Sequence, residues 1–199
     1  MKKFKIILIF LFFFLQTPFV NAYSSDPKEF VNELVNDAIT KLSSKDANKE
    51  EKADFIKEVA TDNVDINALG LYTLGELRKS SNKESLNKFQ EAFKNYFLKS
   101  LTSRLTDYSN KKFEIISSEK KSANYTIVKS RVVKTENQPE IKIDWRIYTK
   151  NPEKPLIRDL IVEGLSLART QKEEFASILS SNNNDINILI LKLEEFVNN

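Results

Sequence analysis

A chain of 199 residues with no cysteine, no histidine and only three glycines has few chemical options. It can form no disulfide and offers no thiol; it lacks the commonest general base and metal ligand, and it cannot build a phosphate-cradling glycine loop. Lys and Arg number 31 against 28 Asp and Glu, but three of the lysines lie within the first five residues, so the rest is balanced and has no basic excess for nucleic acid.

Those lysines open the first element in chain order. Lys2, Lys3 and Lys5 precede the almost wholly apolar stretch Ile6 to Leu15, and Val20-Asn21-Ala22 then offers short residues to a signal peptidase. Cleavage is expected after Ala22. The apolar run is about ten residues, well short of the ~20 that cross a bilayer. With no cysteine to carry a lipid anchor and no later apolar run, residues 23–199 are expected as one soluble domain in the periplasm.

Helices come next. Asp26-Pro27-Lys28-Glu29 supplies an N-cap, a first-turn proline and an early acid, followed by Phe30, Val31, Leu34, Val35, Ala38, Ile39 and Leu42 at helical spacing. A second helix is predicted from about Lys49 to Ala60, burying Ala53, Ile56 and Val59. A third is predicted from about Asp65 to Lys79, with Leu69, Leu71, Leu74 and Leu77 apolar. Ser81-Asn82-Lys83-Glu84 reads as a capping box for the longest helix, about Asn82 to Tyr108. Its stripe of Leu86, Phe89, Phe93, Phe97, Leu101, Leu105 and Tyr108 is broadened by Ala92, Tyr96 and Leu98. That is wider than a surface helix needs, so this helix is expected to lie across a sheet.

The period then changes from 3.6 to 2. Phe113, Ile115 and Ser117 alternate, as do Tyr125, Ile127 and the stretch from Val128 to Val133. Ile141, Ile143, Trp145 and Ile147 alternate without a break, and Leu156 to Val162 makes a fourth strand. Short polar joins favour an antiparallel meander. Two helices end the chain, one capped at Thr170-Gln171-Lys172-Glu173 and one at Asp185. The expected fold is α+β: N-terminal helices, one of them long, packed on a curved antiparallel sheet of about four strands, with two C-terminal helices.

Several stretches in order resemble the MlaC family (also called the toluene-tolerance Ttg2 family) of periplasmic phospholipid-binding proteins. Asp159-Leu160-Ile161-Val162-Glu163-Gly164-Leu165-Ser166-Leu167 is similar to the family's D-x-x-x-E-G-x-S segment, and Phe175 fits the aromatic after it. Ala68 to Gly75 resembles its A-x-x-φ-φ-LG stretch (φ apolar), and Phe89, Phe93, Tyr96, Leu105 and Tyr108 resemble its aromatic helix. The chain departs from the pattern at Pro155-Leu156, where many members carry tryptophan, and at Thr170-Gln171-Lys172, where N-Y-R is common.

The resemblance implies a carrier that encloses lipid and passes it between an outer-membrane lipoprotein–porin complex and an inner-membrane ABC transporter with an MCE protein. It implies no cofactor, no metal and no catalysis, and a monomer is expected. Exposing a ~16-carbon acyl chain to water costs on the order of 12 kcal/mol at ~0.8 kcal/mol per methylene, so a carrier needs an enclosed apolar cavity. Leu71, Leu74, Phe93, Phe97, Leu101, Ile127, Val132, Ile143, Trp145 and Leu165 are the residues expected to line it. On periodicity alone such a helix stripe is ordinary core. Ser166 has no histidine to activate it and no G-x-S-x-G elbow, so Ser166 and Asp159 are expected to bond nearby backbone, with Gly164 permitting a turn. Other readings of the chain are a binder of a fatty acid, quinone or sterol-like molecule, and an interaction module with a filled core.

Overall fold

The computed structural model describes residues 23–106, 112–136 and 139–199. The expected signal segment and Tyr108 lie outside the described residues. Local capping chemistry sets most helix starts. Asp26 accepts from the backbone N–H groups of Lys28 and Glu29 to open α1 (Pro27–Ser43). Asn48 and Glu51 form a reciprocal capping box that opens α2 (Lys49–Asn63).

The single helix expected from Asp65 to Lys79 is two. Asp65 caps α3 (Ile66–Thr73), and α4 (Leu77–Ser80) follows after a break. Gly75 adopts φ +58°, a left-handed conformation that stops a helix and suits glycine. Gly70 serves packing instead: a Cβ there would stand 2.9 Å from Cδ1 of Phe93. The long helix α5 (Lys83–Leu105) is capped by Asn82, one residue after the serine of the expected box.

The sheet is an antiparallel meander in chain order: β1 (Phe113–Ser122), β2 (Tyr125–Val132), β3 (Ile141–Tyr148), β4 (Leu156–Val162) and a two-residue β5 (Leu165–Ser166). The short fifth strand is an addition to the four expected. Glu163 and Gly164, at φ 49° and 82°, turn the chain back so that Ile161 faces Ser166. Two positive φ values match the twist of a tight hairpin. Ser166 then caps α6 (Leu167–Ser180) by accepting from Arg169 N–H, so this helix starts ahead of the expected Thr170. The Thr170 hydroxyl donates to the Ser166 carbonyl within the first turn. Asp185 caps α7 (Ile186–Asn198) as its position predicts.

Register assigns the two sheet faces. Thr126, Val128, Ser130 and Val132 are buried on one face of β2; Val128 sits opposite Trp145 and Thr126 opposite Ile147. Helix α1 covers this face through Phe30, Val31 and Leu34. The indole N–H of Trp145 donates to Ser130 Oγ at 2.8 Å, and Ser130 donates to the Ile143 carbonyl at 2.9 Å. The buried polar atoms there are thus satisfied.

A second apolar cluster is purely helical. Phe89, Ala92 and Phe93 of α5 pack with Phe175 and Leu179 of α6, and with Leu189, Ile190 and Leu193 of α7. Val64, at the α2–α3 junction, packs against both clusters. The interior is therefore two apolar bodies with a seam between them.

Candidate functional site

The residues read from the sequence as a cavity wall divide between two apolar clusters and the surface. Leu74 and Phe93 are buried in the helical cluster, with Phe97 packed against it. Trp145 belongs to the cluster beneath α1, with Ile143 packed against that one, and Val132 is buried on the same face. Leu71 and Leu101 are half-buried. Ile127 pairs with Arg146 and faces away from Val128 and Trp145, because successive strand residues point to opposite faces. Leu165 is 69% exposed on the hairpin.

A cleft of about 550 Å³ lies elsewhere, between α3, α4 and α6 and the sheet face that carries Ile127. Ala68, Leu69 and Tyr72 of α3 form one wall, with Ala168 of α6 and Arg78 of α4. Tyr125, Arg146 and Arg158 come from three successive strands. A second, more open cleft of about 470 Å³ shares Tyr72 and is lined by Arg169, Lys172, Glu173 and Ala176 of α6. The Lys172 ammonium lies 5.3 Å from the centre of the Tyr72 ring.

The arginines arrive by a register shift. Arg146 pairs with Asp159 and Ile147 with Ile157, leaving Arg158 as an extra residue in β4. Such a bulge re-aims side chains, and here Arg158 and Asp159 both meet groups of the cleft face. Arg158 stacks on Tyr148 with its guanidinium carbon 3.4 Å from the ring centre. It donates through one terminal nitrogen to the Tyr125 hydroxyl at 2.8 Å, and through Nε to Asp65 at 2.8 Å. Its other terminal nitrogen lies 2.6 Å from the same Asp65 oxygen. The second Asp65 oxygen caps α3 by accepting from Ala68 N–H. Burial works against the Arg158 charge, but the bonds to Tyr125 and Asp65 outweigh it, so its pKa is raised.

Asp159 ties β4 to α6. Ser166 donates to one of its oxygens at 2.6 Å, and Ala168 N–H donates to the other at 3.0 Å. Arg146 stands 3.7 Å from it, with a side chain 45% exposed. The Ser166 hydroxyl gives its proton to a carboxylate while its oxygen caps a helix, so the late motif builds a joint in the fold. Among the described residues no group of three or more carboxylates is placed to hold a metal ion. None of the described helices is long and apolar enough to cross a membrane.

Sequence reasoning did not single out the polar residues of this cleft, Tyr125, Arg78, Arg146 and Arg158. One signal was present: Arg158-Asp159 interrupts the otherwise apolar run from Leu156 to Val162, and a charge pair inside such a strand needs partners.

The α+β fold is similar to that of a phospholipid-binding protein from Ralstonia solanacearum solved in complex with a phospholipid. The two share 17% sequence identity with a TM-score of 0.69, over 84% of this chain and 94% of that one. The family model described as MlaC protein matches residues 28–195, and the chain belongs to the MlaC family. No curated protein sequence gives a significant match.

Proposed function

We propose that this chain is exported by a leader cleaved after Ala22, and that residues 23–199 form a soluble periplasmic carrier for phospholipid. It encloses the acyl chains, performs no catalysis, and shuttles lipid between an outer-membrane lipoprotein–porin complex and an inner-membrane ABC transporter with an MCE protein. One observation carries the reading: family membership over residues 28–195, which takes in α1 to α7 almost whole.

The split interior supports it. Each ~16-carbon chain must recover most of ~12 kcal/mol of apolar burial, which the arginine-lined cleft by itself does not supply. Leu69 lines the cleft and also packs on the helical cluster, so it marks an apolar way inward. Parting the helical body from the sheet along their seam opens space for chains without breaking either cluster. Leu71, Phe97 and Leu101, half-buried, keep surface for a guest. Leu74, Phe93, Val132, Ile143 and Trp145 back the two walls.

The test is to express the full chain in bacterial cells, purify it from the periplasm, and analyse an apolar extract by mass spectrometry. Diacyl phospholipid at close to one molecule per protein is the expected result. A fatty acid, quinone or sterol-like molecule in its place redirects the assignment to that ligand. An extract free of lipid overturns it.

A further inference from the structure

We propose that the cleft between α3, α4, α6 and the sheet is a phosphate subsite, in which Arg78, Arg146, Arg158 and the Tyr125 hydroxyl hold a phosphodiester. Its assignment to a lipid headgroup rests on the carrier reading above; the anion site itself does not.

The first argument is donor accounting. A guanidinium has five N–H donors. Arg158 spends three of them on Asp65 and Tyr125 and keeps two. Tyr125 accepts from Arg158, so its own O–H remains to donate. Arg146 reaches Asp159 only at 3.7 Å, beyond hydrogen-bond distance. Its donors are almost wholly unspent. Arg78 has no ion pair among the described residues. A planar fork of N–H groups matches phosphate oxygens in pairs, which an ammonium does not.

The second argument is the distribution of charge. No carboxylate lines the larger cleft. Asp65 and Asp159 stand behind it, one capping α3 and clamping Arg158, the other joining β4 to α6. The two clefts together are lined by five cations and one carboxylate, Glu173, with Glu76 in the field of Arg78 and Lys172.

Pre-organisation is the third. Arg158 is clamped by Asp65 and stacked on Tyr148, so little side-chain freedom remains to be lost on binding. Leu69 on the same cleft leads toward the helical cluster, which orients an amphiphile with its phosphate at the arginines and its chains inward.

The experiment uses protein purified from the periplasm after expression of the full chain and stripped of lipid by detergent exchange. Dioctanoyl phosphatidylglycerol, dioctanoylglycerol and inorganic phosphate are titrated into the wild type and into Arg78→Gln/Arg146→Gln. Neither guanidinium has a hydrogen-bond partner among the described residues, whereas Arg158 is bonded to Asp65 and Tyr125, and a thermal melt checks that the variant is folded. The wild type is expected to bind the phospholipid at least about tenfold more tightly than the phosphate-free lipid. The variant loses about tenfold for the phospholipid and nothing for dioctanoylglycerol, and added salt narrows the wild-type preference. Equal affinity for the two lipids, or a variant that keeps the preference, overturns the phosphate site and leaves the carrier reading intact. Inorganic phosphate bound by the wild type and lost in the variant, with neither lipid bound, keeps the site and rejects a lipid as its source. No binding of lipid or phosphate overturns both.

Discussion

Asp159→Ala perturbs the joint between the sheet and the C-terminal helices. The side chain is 1% exposed, and it accepts from Ser166 Oγ at 2.6 Å and from Ala168 N–H at 3.0 Å. Hydrogen bonds to a charged group contribute ~1.5–3 kcal/mol each; the two share one carboxylate and are not additive, so a loss of ~3 kcal/mol is expected. Arg146 adds little, because its half-exposed guanidinium is screened and returns to water. For a domain of this size ~3 kcal/mol lowers Tm by roughly 6–12 °C. Ser166→Ala removes the same bond and the N-cap of α6, and is expected to cost ~1–2 kcal/mol. The double variant then costs less than the sum of the two by ~1 kcal/mol or more, since one bond is counted in both. Urea unfolding followed by circular dichroism measures all three variants. Strict additivity, or a loss below ~1 kcal/mol for Asp159→Ala, refutes the joint.

Gly70→Ala places a methyl group 2.9 Å from Phe93 and is expected to cost ~1–3 kcal/mol in urea unfolding, with partial recovery in the pair with Phe93→Leu. Ser130→Ala leaves the Trp145 indole N–H without an acceptor and is expected to cost ~1–3 kcal/mol, where a change within ~0.5 would show that water replaces the hydroxyl. The Tyr23 hydroxyl donates to Asp37, and desolvation first, then that bond and its charge, raises its pKa above the usual 10. The folded state therefore keeps a proton that the unfolded state loses above about pH 10, so stability declines as pH rises beyond 10. Tyr23→Phe should flatten that decline in melts between pH 9 and 11, and an unchanged slope would assign it to other groups.

Helix starts were legible where they are local: Asp26 and Asp185 each satisfy orphan N–H groups within three residues. The strands were legible because period-two alternation over Ile141–Ile147 has one structural meaning. Where two local signals competed, tertiary contacts decided. Ser166 and Thr170 both suit a cap; the bond from Ser166 to Asp159 selects the earlier one. Gly75 sat in an unbroken helical pattern, and nothing within α3 itself announced a left-handed φ. The family was legible from ordered motifs, yet those motifs are mostly joints and core, as Asp159, Ser166 and Gly70 demonstrate.

The cleft escaped for a geometric reason. Arg158 meets Asp65 from 93 residues away, and it does so only because one extra residue in β4 shifts the register. Alternation read across that strand from sequence would place Arg158 and Asp159 on opposite faces; the bulge brings both to the cleft side. The apolar wall residues are a different case. Phe93 and Trp145 both read as interior, and both are, but in clusters that touch through Val64. A list of inward-facing residues cannot say whether they share one core or two, because burial is the same in either case. That distinction matters more for a carrier than for most folds: a single fused core would have to be broken to admit a guest, whereas two bodies joined at a seam can part while each keeps its own packing.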